Sequence, residues 1–326
     1  MKVVFSRLYN PKTNKGNIIQ DRTSLLVWVL SVLKWKKLGY EPYLYTDETT
    51  KEEFEKLGIL KLYDEIRIID NKYDINEEVF WACSKILSEK QFIEEFPDEE
   101  FMVSDLDFIP LKDPKTFKTV DNEILIFYRE FIQVYCPLEF LGLNSEYKLP
   151  EFFTGKIDPI NACFVYFQKD NLELFKKYLD IEIEFMQAHK EFVNDLNAND
   201  LMMFIEQRLF TEYLEVNNIP ITPISPKNKS VFNTSGMHSG PYKTIENTDY
   251  WKWNIWWLKL LKEEFPETYE EVINLELYSD IKDIIDKGEG EYTNKVNKIT
   301  DIKDFDWDTL EYPRAFEDIY DEKWNQ

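Results

Sequence analysis

Residues 101–110, with the sequence FMVSDLDFIP, join a short apolar run to two aspartates, Asp105 and Asp107. In an extended chain, side chains at i and i+2 point the same way, so the two carboxylates converge where the strand leaves its sheet. Two like charges so close are costly unless a cation or a proton neutralises one of them. Oxygen ligands suit Mg²⁺ or Mn²⁺, and the alternative is a polar strand end with both acids in water.

Strand-like and helix-like segments alternate around this run. The predicted strands are Val3–Leu8, Glu41–Thr46, Ile66–Ile69, Glu100–Ser104, Ile124–Tyr128, Ala162–Phe167 and, as an edge, Pro220–Ile224. The predicted helices are Arg22–Leu38, Thr49–Leu57, Glu77–Lys90, Asp170–Lys177, Asp200–Leu214 and Tyr250–Glu264. This spacing predicts an α/β fold with a mostly parallel sheet flanked by helices. Ligands of such sheets bind beyond the carboxyl ends of the strands, where Asp47 and Asp105 both fall.

The charge balance excludes some classes of partner. The chain has 62 acidic against 39 basic residues, a net charge of −23. Such a surface repels phosphate backbones and anionic lipid, so we expect neither nucleic acid nor a membrane as partner. The longest apolar stretch, Leu25–Leu33, is too short to span a bilayer, and Met1–Arg7 is strand-like rather than a signal sequence. The three cysteines show no CxxC spacing and predict reduced, buried thiols in the cytoplasm.

Two further segments carry candidate site residues. In His238-Ser239-Gly240-Pro241-Tyr242-Lys243, the imidazole could complete a metal shell and the lysine could hold a phosphate, although an ordinary exposed loop is the alternative. Glu206 and Gln207, on the helix that Asn199 could cap, are candidates for a sugar contact or a base, with an ordinary amphipathic helix as the alternative. His189 has no such context. The tryptophans Trp251, Trp253, Trp256 and Trp257 favour core packing over sugar stacking.

Together these segments resemble the GT-A-type glycosyltransferases, in particular bacterial capsule-type and family-8-like enzymes that use a nucleotide-diphosphate sugar. The segments that carry the resemblance occur in the expected order: 43–47 (YLYTD), 80–86 (FWACSKI), 104–107 (SDLD), 161–167 (NACFVYF), 206–207 (EQ) and 238–243 (HSGPYK). Segment 104–107 matches the family's Asp-x-Asp motif. The resemblance covers about residues 1–265. Cys163 stands where glycine is usual, and the His–Gly–Lys spacing is one residue shorter than in family 8.

The resemblance implies the roles of specific residues. Mn²⁺ or Mg²⁺ would be held by Asp105, Asp107 and His238. Sugar-nucleotide contacts would come from Arg7, Asp47, Lys85, Ser104, Asp105, Asn161, Gln207 and Lys243. Asp200 and Glu206 would be the catalytic candidates. The donor would be a UDP-sugar or related nucleotide-diphosphate sugar, and the acceptor a glycan or another hydroxyl compound.

The same resemblance divides the chain. Residues 1–265 would form the glycosyltransferase domain, with a nucleotide-binding half (1–110) and an acceptor half (111–265). Residues 266–326 would be an acidic helical or irregular extension, docked on the body through its spaced aromatic residues.

Two alternatives stay open. An apolar strand ending in Asp-x-Asp is also the nucleophile motif of haloacid-dehalogenase-type phosphatases. Those enzymes usually begin with that strand and carry Thr or Val where this chain has Ile109. A catalytically inactive GT-A module that binds a sugar nucleotide or a partner protein is the second alternative. Retention and inversion at the anomeric carbon are both compatible with the residues above.

Overall fold

A computed structural model of the chain describes residues 1–9, 22–191, 198–225, 235–238, 250–279 and 282. The strands are β1 (Lys2–Arg7), β2 (Glu41–Thr46), β3 (Glu65–Ile68), β4 (Phe101–Ser104), β5 (Phe108–Pro110), β6 (Ile124–Ile126), β7 (Phe164–Phe167), β8 (Ile221–Pro223) and β9 (Gly236–His238). The α-helices are α1 (Arg22–Lys37), α2 (Glu48–Lys56), α3 (Cys83–Glu95), α4 (Leu172–Ala188), α5 (Ala198–Met203), α6 (Phe210–Val216), α7 (Tyr250–Glu264) and α8 (Pro266–Ile273). A π-helical segment, Phe204–Leu209, joins α5 to α6.

Seven strands form the main sheet in the order β3-β2-β1-β4-β7-β6-β8. The first four in this order are parallel, and so are β6 and β8. Strand β7 is antiparallel to both of its neighbours, β4 and β6. The carboxyl ends of β1, β2, β4 and β6 therefore lie at one edge of the sheet, together with the amino end of β7. The fold is the mostly parallel, helix-flanked α/β sheet of the GT-A, Rossmann-like type that the sequence predicts.

The sheet is buried on both faces, each covered by its own apolar cluster. Along β1, Val3 and Phe5 belong to one cluster and Val4 to the other, as the alternation of side chains in a strand requires. Helices α1, α7 and α8 cover the first face, and α3, α4 and the segment 198–216 cover the second. These helices position the strand ends that carry the candidate site.

A two-stranded sheet, β5 with β9, lies beside the first cluster and places His238. The strands are antiparallel, with Phe108 opposite His238 and Pro110 opposite Gly236. A Cβ atom on Gly236 would lie 2.8 Å from two carbons of the Phe108 ring, closer than atoms pack. Glycine is therefore required for β9 to lie this close to β5.

Several element bounds follow the sequence prediction, and two differ for identifiable reasons. The bounds of β2 and α7 are those predicted, and β8 is the predicted edge strand. The helix predicted at Glu77–Lys90 instead runs from Cys83 to Glu95, because turns occupy 76–82 and Pro97 disfavours helix at the residue before it. Helix α4 runs to Ala188, eleven residues beyond the predicted Lys177, because buried apolar residues continue through Met186.

The predicted helix Asp200–Leu214 forms, but its middle is the π-helical segment. The three cysteines are free and buried, as predicted. No helix in the described part of the chain is long and apolar enough to cross a membrane.

The chain after Glu264 packs on the first cluster through Tyr269, Val272, Ile273 and Tyr278. The remainder of the predicted extension, including its last spaced aromatic residues, lies outside the described residues. The division of the chain at 265 stays a prediction.

Candidate active site at the carboxyl edge of the sheet

Asp105 and Asp107 lie in the tight turn between β4 and β5. The turn is held by Phe108 N–H donating to Asp105 C=O at 3.1 Å, while Asp105 N–H donates to Cys163 C=O at 2.8 Å. Asp107 is largely buried, with a side-chain exposure of 12%, whereas Asp105 is 33% exposed. The two aspartates therefore sit on a backbone fixed to both β5 and the amino end of β7.

His238 completes a group of three ligand-bearing side chains. One ligand atom from each of Asp105, Asp107 and His238 lies within 4.8 Å of the other two. His238 Nε2 is 3.4 Å from Asp107 Oδ1. Two carboxylates and one imidazole can hold a divalent cation, and three protein ligands leave coordination positions for phosphate oxygens. The donor set therefore fits a divalent cation.

Lys85 approaches the same turn from helix α3. Its ammonium nitrogen lies 2.6 Å from Asp105 Oδ1 and donates to Glu206 Oε1 at 2.5 Å and to Ala162 C=O at 2.7 Å. These contacts use all three protons of a lysine ammonium. Burial disfavours the charged form, but the neighbouring carboxylates of Asp105 and Glu206 outweigh it and raise the pKa of Lys85. Lys85 is therefore a buried cation that orients Asp105.

Glu206 and Gln207 lie on the π-helical segment. Such segments insert an extra residue into a helix and frequently occur at functional sites. Here the segment directs Glu206 to Lys85 and Gln207 to the hydroxyl of Tyr135. Burial raises the pKa of Glu206, and the charge of Lys85 opposes this effect.

Arg7 and Asp47 lie at the carboxyl ends of β1 and β2. Asp47 caps helix α2 by accepting from Thr50 N–H at 2.7 Å, and it also accepts from Tyr9 N–H. Arg7 lies over the Trp28 ring, 5.4 Å from its centroid. Burial lowers the pKa of Arg7, and the charges of Asp107 and Asp47 oppose this shift. The nucleotide-binding candidates therefore gather at the same edge as the metal ligands.

The other predicted residues have different surroundings. The Ser104 hydroxyl is buried, accepts from Trp35 Nε1 at 3.2 Å and donates to Asp105 C=O at 3.0 Å, so it supports the turn. Asp200 lies beside Cys136. The pKa of the Cys136 thiol is raised to about 11, mainly by burial and in addition by the charge of Asp200. Lys243 lies outside the described residues.

Glu130, which accepts from Tyr128, Tyr135 and Asn161, is absent from the residues predicted from the sequence. Strand β6 runs parallel to β4, so the segment after β6 reaches the same edge of the sheet. Like Asp47 and Asp105, Glu130 is an acid that follows a predicted strand, in this case Ile124–Tyr128. His189, by contrast, has the ordinary structural role expected of it: it is buried between Tyr147 and Phe185.

A family model described as "Family of unknown function (DUF6734)" matches residues 1–275. No curated protein matches the chain. Among solved structures, the chain is similar to an active-site mutant of LgtC, with 12% identity, a TM-score of 0.35, and coverage of 64% of this chain and 70% of that chain. It is also similar to the glycosyltransferase GlyE of Streptococcus pneumoniae TIGR4, with 12% identity, a TM-score of 0.35, and coverage of 82% and 64%. A third similar structure is the PaToxG glycosyltransferase, with 12% identity, a TM-score of 0.32, and coverage of 67% and 78%.

Proposed function

The chain belongs to DUF6734, a family of unknown function, and we propose that it is a metal-dependent glycosyltransferase. It would move a sugar from a nucleotide-diphosphate sugar, with a UDP-sugar as the expected donor, to a hydroxyl of a glycan or another acceptor. The observation that carries the proposal is the convergence of Asp105, Asp107 and His238 at the carboxyl edge of a GT-A-type sheet. Ligands of open α/β sheets bind at this edge.

The proposed roles follow from position. Asp105, Asp107 and His238 hold Mn²⁺ or Mg²⁺, which when bound supplies positive charge to the diphosphate of the donor. Arg7 and Asp47, at the neighbouring strand ends, bind the nucleotide. Lys243 lies outside the described residues, and the family resemblance alone assigns it to the phosphates. Loss of the nucleoside diphosphate develops negative charge, and cations fixed at that point lower the barrier.

The remaining predicted residues divide into supports of the aspartate turn and proposed sugar contacts. Lys85 holds Asp105 and Glu206 in fixed positions, and Ser104 supports the aspartate turn from within the core. Asn161, Gln207, Glu206 and Asp200 remain the proposed contacts to the transferred sugar, with Glu206 and Asp200 as the catalytic candidates among them.

The test is thermal unfolding with UDP, GDP and CDP, each with and without Mn²⁺. A ligand at a hundred times its dissociation constant adds about 2.7 kcal/mol of stability. We expect one nucleotide to give this shift only with metal, and Asp105→Ala/Asp107→Ala to abolish it. Asp98→Ala/Asp121→Ala is the matched control, because it removes two aspartates that are 82% and 101% exposed.

Three results would count against the proposal: no shift with any nucleotide, a shift independent of metal, or a shift that survives in the Asp105/Asp107 variant. Metal-dependent hydrolysis of a simple phosphomonoester would instead support the phosphatase alternative.

A further inference from the structure

Glu130 lies at the sheet edge that carries the candidate site and has no role in the proposal above. It follows β6, whose carboxyl end lies at the same edge as that of β4. Asn161 connects it to the aspartate turn: the Asn161 amide donates to Glu130, its oxygen accepts from Cys163 N–H at 3.1 Å, and Cys163 C=O accepts from Asp105 N–H at 2.8 Å.

The carboxylate of Glu130 is held in one orientation by three donors. Its Oε1 accepts from Asn161 Nδ2 and, at 3.2 Å, from the Tyr128 hydroxyl. Its Oε2 accepts from the Tyr135 hydroxyl at 2.5 Å. A carboxylate offers about four acceptor positions, two on each oxygen. Within the described residues, one position on Oε2 remains for a further donor, and the side chain is partly exposed.

Tyr135 also fixes the neighbouring Gln207. The tyrosine hydroxyl contacts both Glu130 Oε2 and the Gln207 side-chain amide, but it has one proton to donate. That proton goes to the charged carboxylate, which is the stronger acceptor. The same hydroxyl contacts the side-chain oxygen of Gln207, Oε1. Tyr135 therefore holds Glu130 and Gln207 next to each other.

From this arrangement we infer that Glu130 is the base that receives the proton of the acceptor hydroxyl. This inference rests on the proposed glycosyltransferase function and adds a catalytic residue to it. The acceptor oxygen forms a bond to the anomeric carbon as its proton passes to Glu130 Oε2. The bond between that carbon and the phosphate oxygen breaks, and its electron pair leaves on the nucleoside diphosphate.

The arrangement also indicates the class of acceptor. The remaining position on Glu130 Oε2 is a hydrogen-bond acceptor, which suits a neutral, hydroxyl-rich compound such as a saccharide. Among the described residues Glu130 has no salt-bridge partner, so its carboxylate would repel an anionic group.

The experiment measures nucleoside diphosphate release from UDP-glucose, UDP-galactose and UDP-N-acetylglucosamine with Mn²⁺, in water alone and with a panel of p-nitrophenyl glycosides. We expect Glu130→Gln to bind UDP and Mn²⁺ like the wild type but to release UDP at least about 100-fold more slowly, the usual contribution of a general base. Glu130→Asp should recover part of the rate.

Glu123→Gln is the matched control. Glu123 is a buried glutamate at the amino end of the same strand, where Thr119 and Thr222 donate to it. It should lower stability and leave the rate per folded molecule unchanged.

A wild-type rate in Glu130→Gln would overturn the inference while the donor site stands. The inference would also be overturned if the wild type bound UDP and Mn²⁺ but released no UDP from any of the three donors. A carboxylate placed for an acceptor hydroxyl also activates water, so some release is expected. A wild type that binds no nucleotide would overturn the proposed function itself, and the inference with it.

Discussion

Lys85 Nζ lies 2.6 Å from Asp105 Oδ1, and this contact joins the interior of helix α3 to the candidate metal site. The lysine side chain is 10% exposed, so its charge is neutralised by protein groups rather than by water. A buried cation in this position keeps one candidate metal ligand in place and stabilises the carboxylates of Asp105 and Glu206.

Removing that cation should destabilise the fold. We expect Lys85→Met to lower the free energy of unfolding by about 3–5 kcal/mol, because it leaves Glu206 buried without its counter-charge. Adding Glu206→Gln should restore part of the loss, which denaturant titration of the single and double variants will show. Lys56→Met, at an exposed lysine paired with Glu53, is the control and should leave the stability nearly unchanged. Equal losses in the single and double variants would contradict this account.

Glu89 should make stability fall with rising pH. Burial raises the pKa of Glu89 to about 8. The charge of Lys85 opposes this shift, and the charges of Glu206 and Asp105 add to it. The native state therefore keeps a proton that the unfolded chain loses near the ordinary glutamate pKa of about 4.3. The stabilisation is complete below that value and is lost as pH rises toward 8, by up to about 1.4 kcal/mol per pH unit for one proton.

The test is chemical denaturation of wild type and Glu89→Gln at several pH values between about 5 and about 8.5, the range in which the shifted group loses its proton. Glutamine resembles the protonated acid, so the variant should lose part of the pH dependence and be the more stable protein at the upper end of that range. Glu182, also buried and with a raised pKa, contributes a similar slope that remains in the variant. Identical slopes for wild type and Glu89→Gln would show that Glu89 is ionised in the native state.

His189 should titrate below the usual histidine range. Its Nε2 accepts from Asn144 N–H at 3.0 Å, and its Nδ1 lies 2.8 Å from Phe185 C=O, so the neutral ring carries its proton on Nδ1. Burial lowers the pKa of His189, with the Phe185 carbonyl opposing. Because the native state resists protonation, stability is full above the ordinary value of about 6.5 and declines as pH falls below it.

NMR of ¹³C-labelled histidine can follow this titration because the chain has two histidines, His189 and His238. His189→Gln identifies the signal, and the denaturation midpoint should lose the corresponding acid dependence in that variant. A His189 signal that titrates at or above the ordinary value of about 6.5 would refute the assignment.

Gly236 should control the position of His238. Gly236→Val places a side chain against the Phe108 ring and should cost about 1–3 kcal/mol of stability, as overpacking does. It should also weaken Mn²⁺ binding by moving His238 away from Asp107. Adding Phe108→Leu makes room and should recover both properties, measured by unfolding and by Mn²⁺ titration. Normal metal affinity in Gly236→Val would mean that β9 does not position the ligand.

The sequence predicts most strands and helices of the fold, and much less of the contacts between buried side chains. The strand ending at Ser104 and the pair Asp105 and Asp107 follow from local rules, since side-chain direction and strand ends depend on neighbouring residues. The π-helical segment does not, because it depends on distant contacts with α4, where Tyr178 donates to Ile205 C=O and Phe185 packs on Phe204. Lys85, a predicted donor contact, is buried between two acids. That contact depends on α3, which begins six residues after the predicted Glu77.

Buried acids are the other class that local patterns miss. In a chain this acidic, Glu89 and Glu182 are expected to be solvated residues on helix surfaces, yet both are buried against the second apolar cluster. Glu130 differs from these two acids because it follows a predicted strand, but it stands two residues past Tyr128, whereas Asp47 and Asp105 come directly after their strands.

The antiparallel direction of β7 determines which segments of the chain can change in sequence without altering the ends of β1 and β2. Because β7 begins at the edge where β4 ends, the segment before it delivers Asn161, Ala162 and Cys163 to the rear of the aspartate turn and to Glu130. The segments that follow β1 and β2 supply Arg7 and Asp47 independently. Under the proposed function, changes in the long connection between β6 and β7 can therefore alter the binding of the acceptor while Arg7 and Asp47, the proposed nucleotide contacts, stay the same.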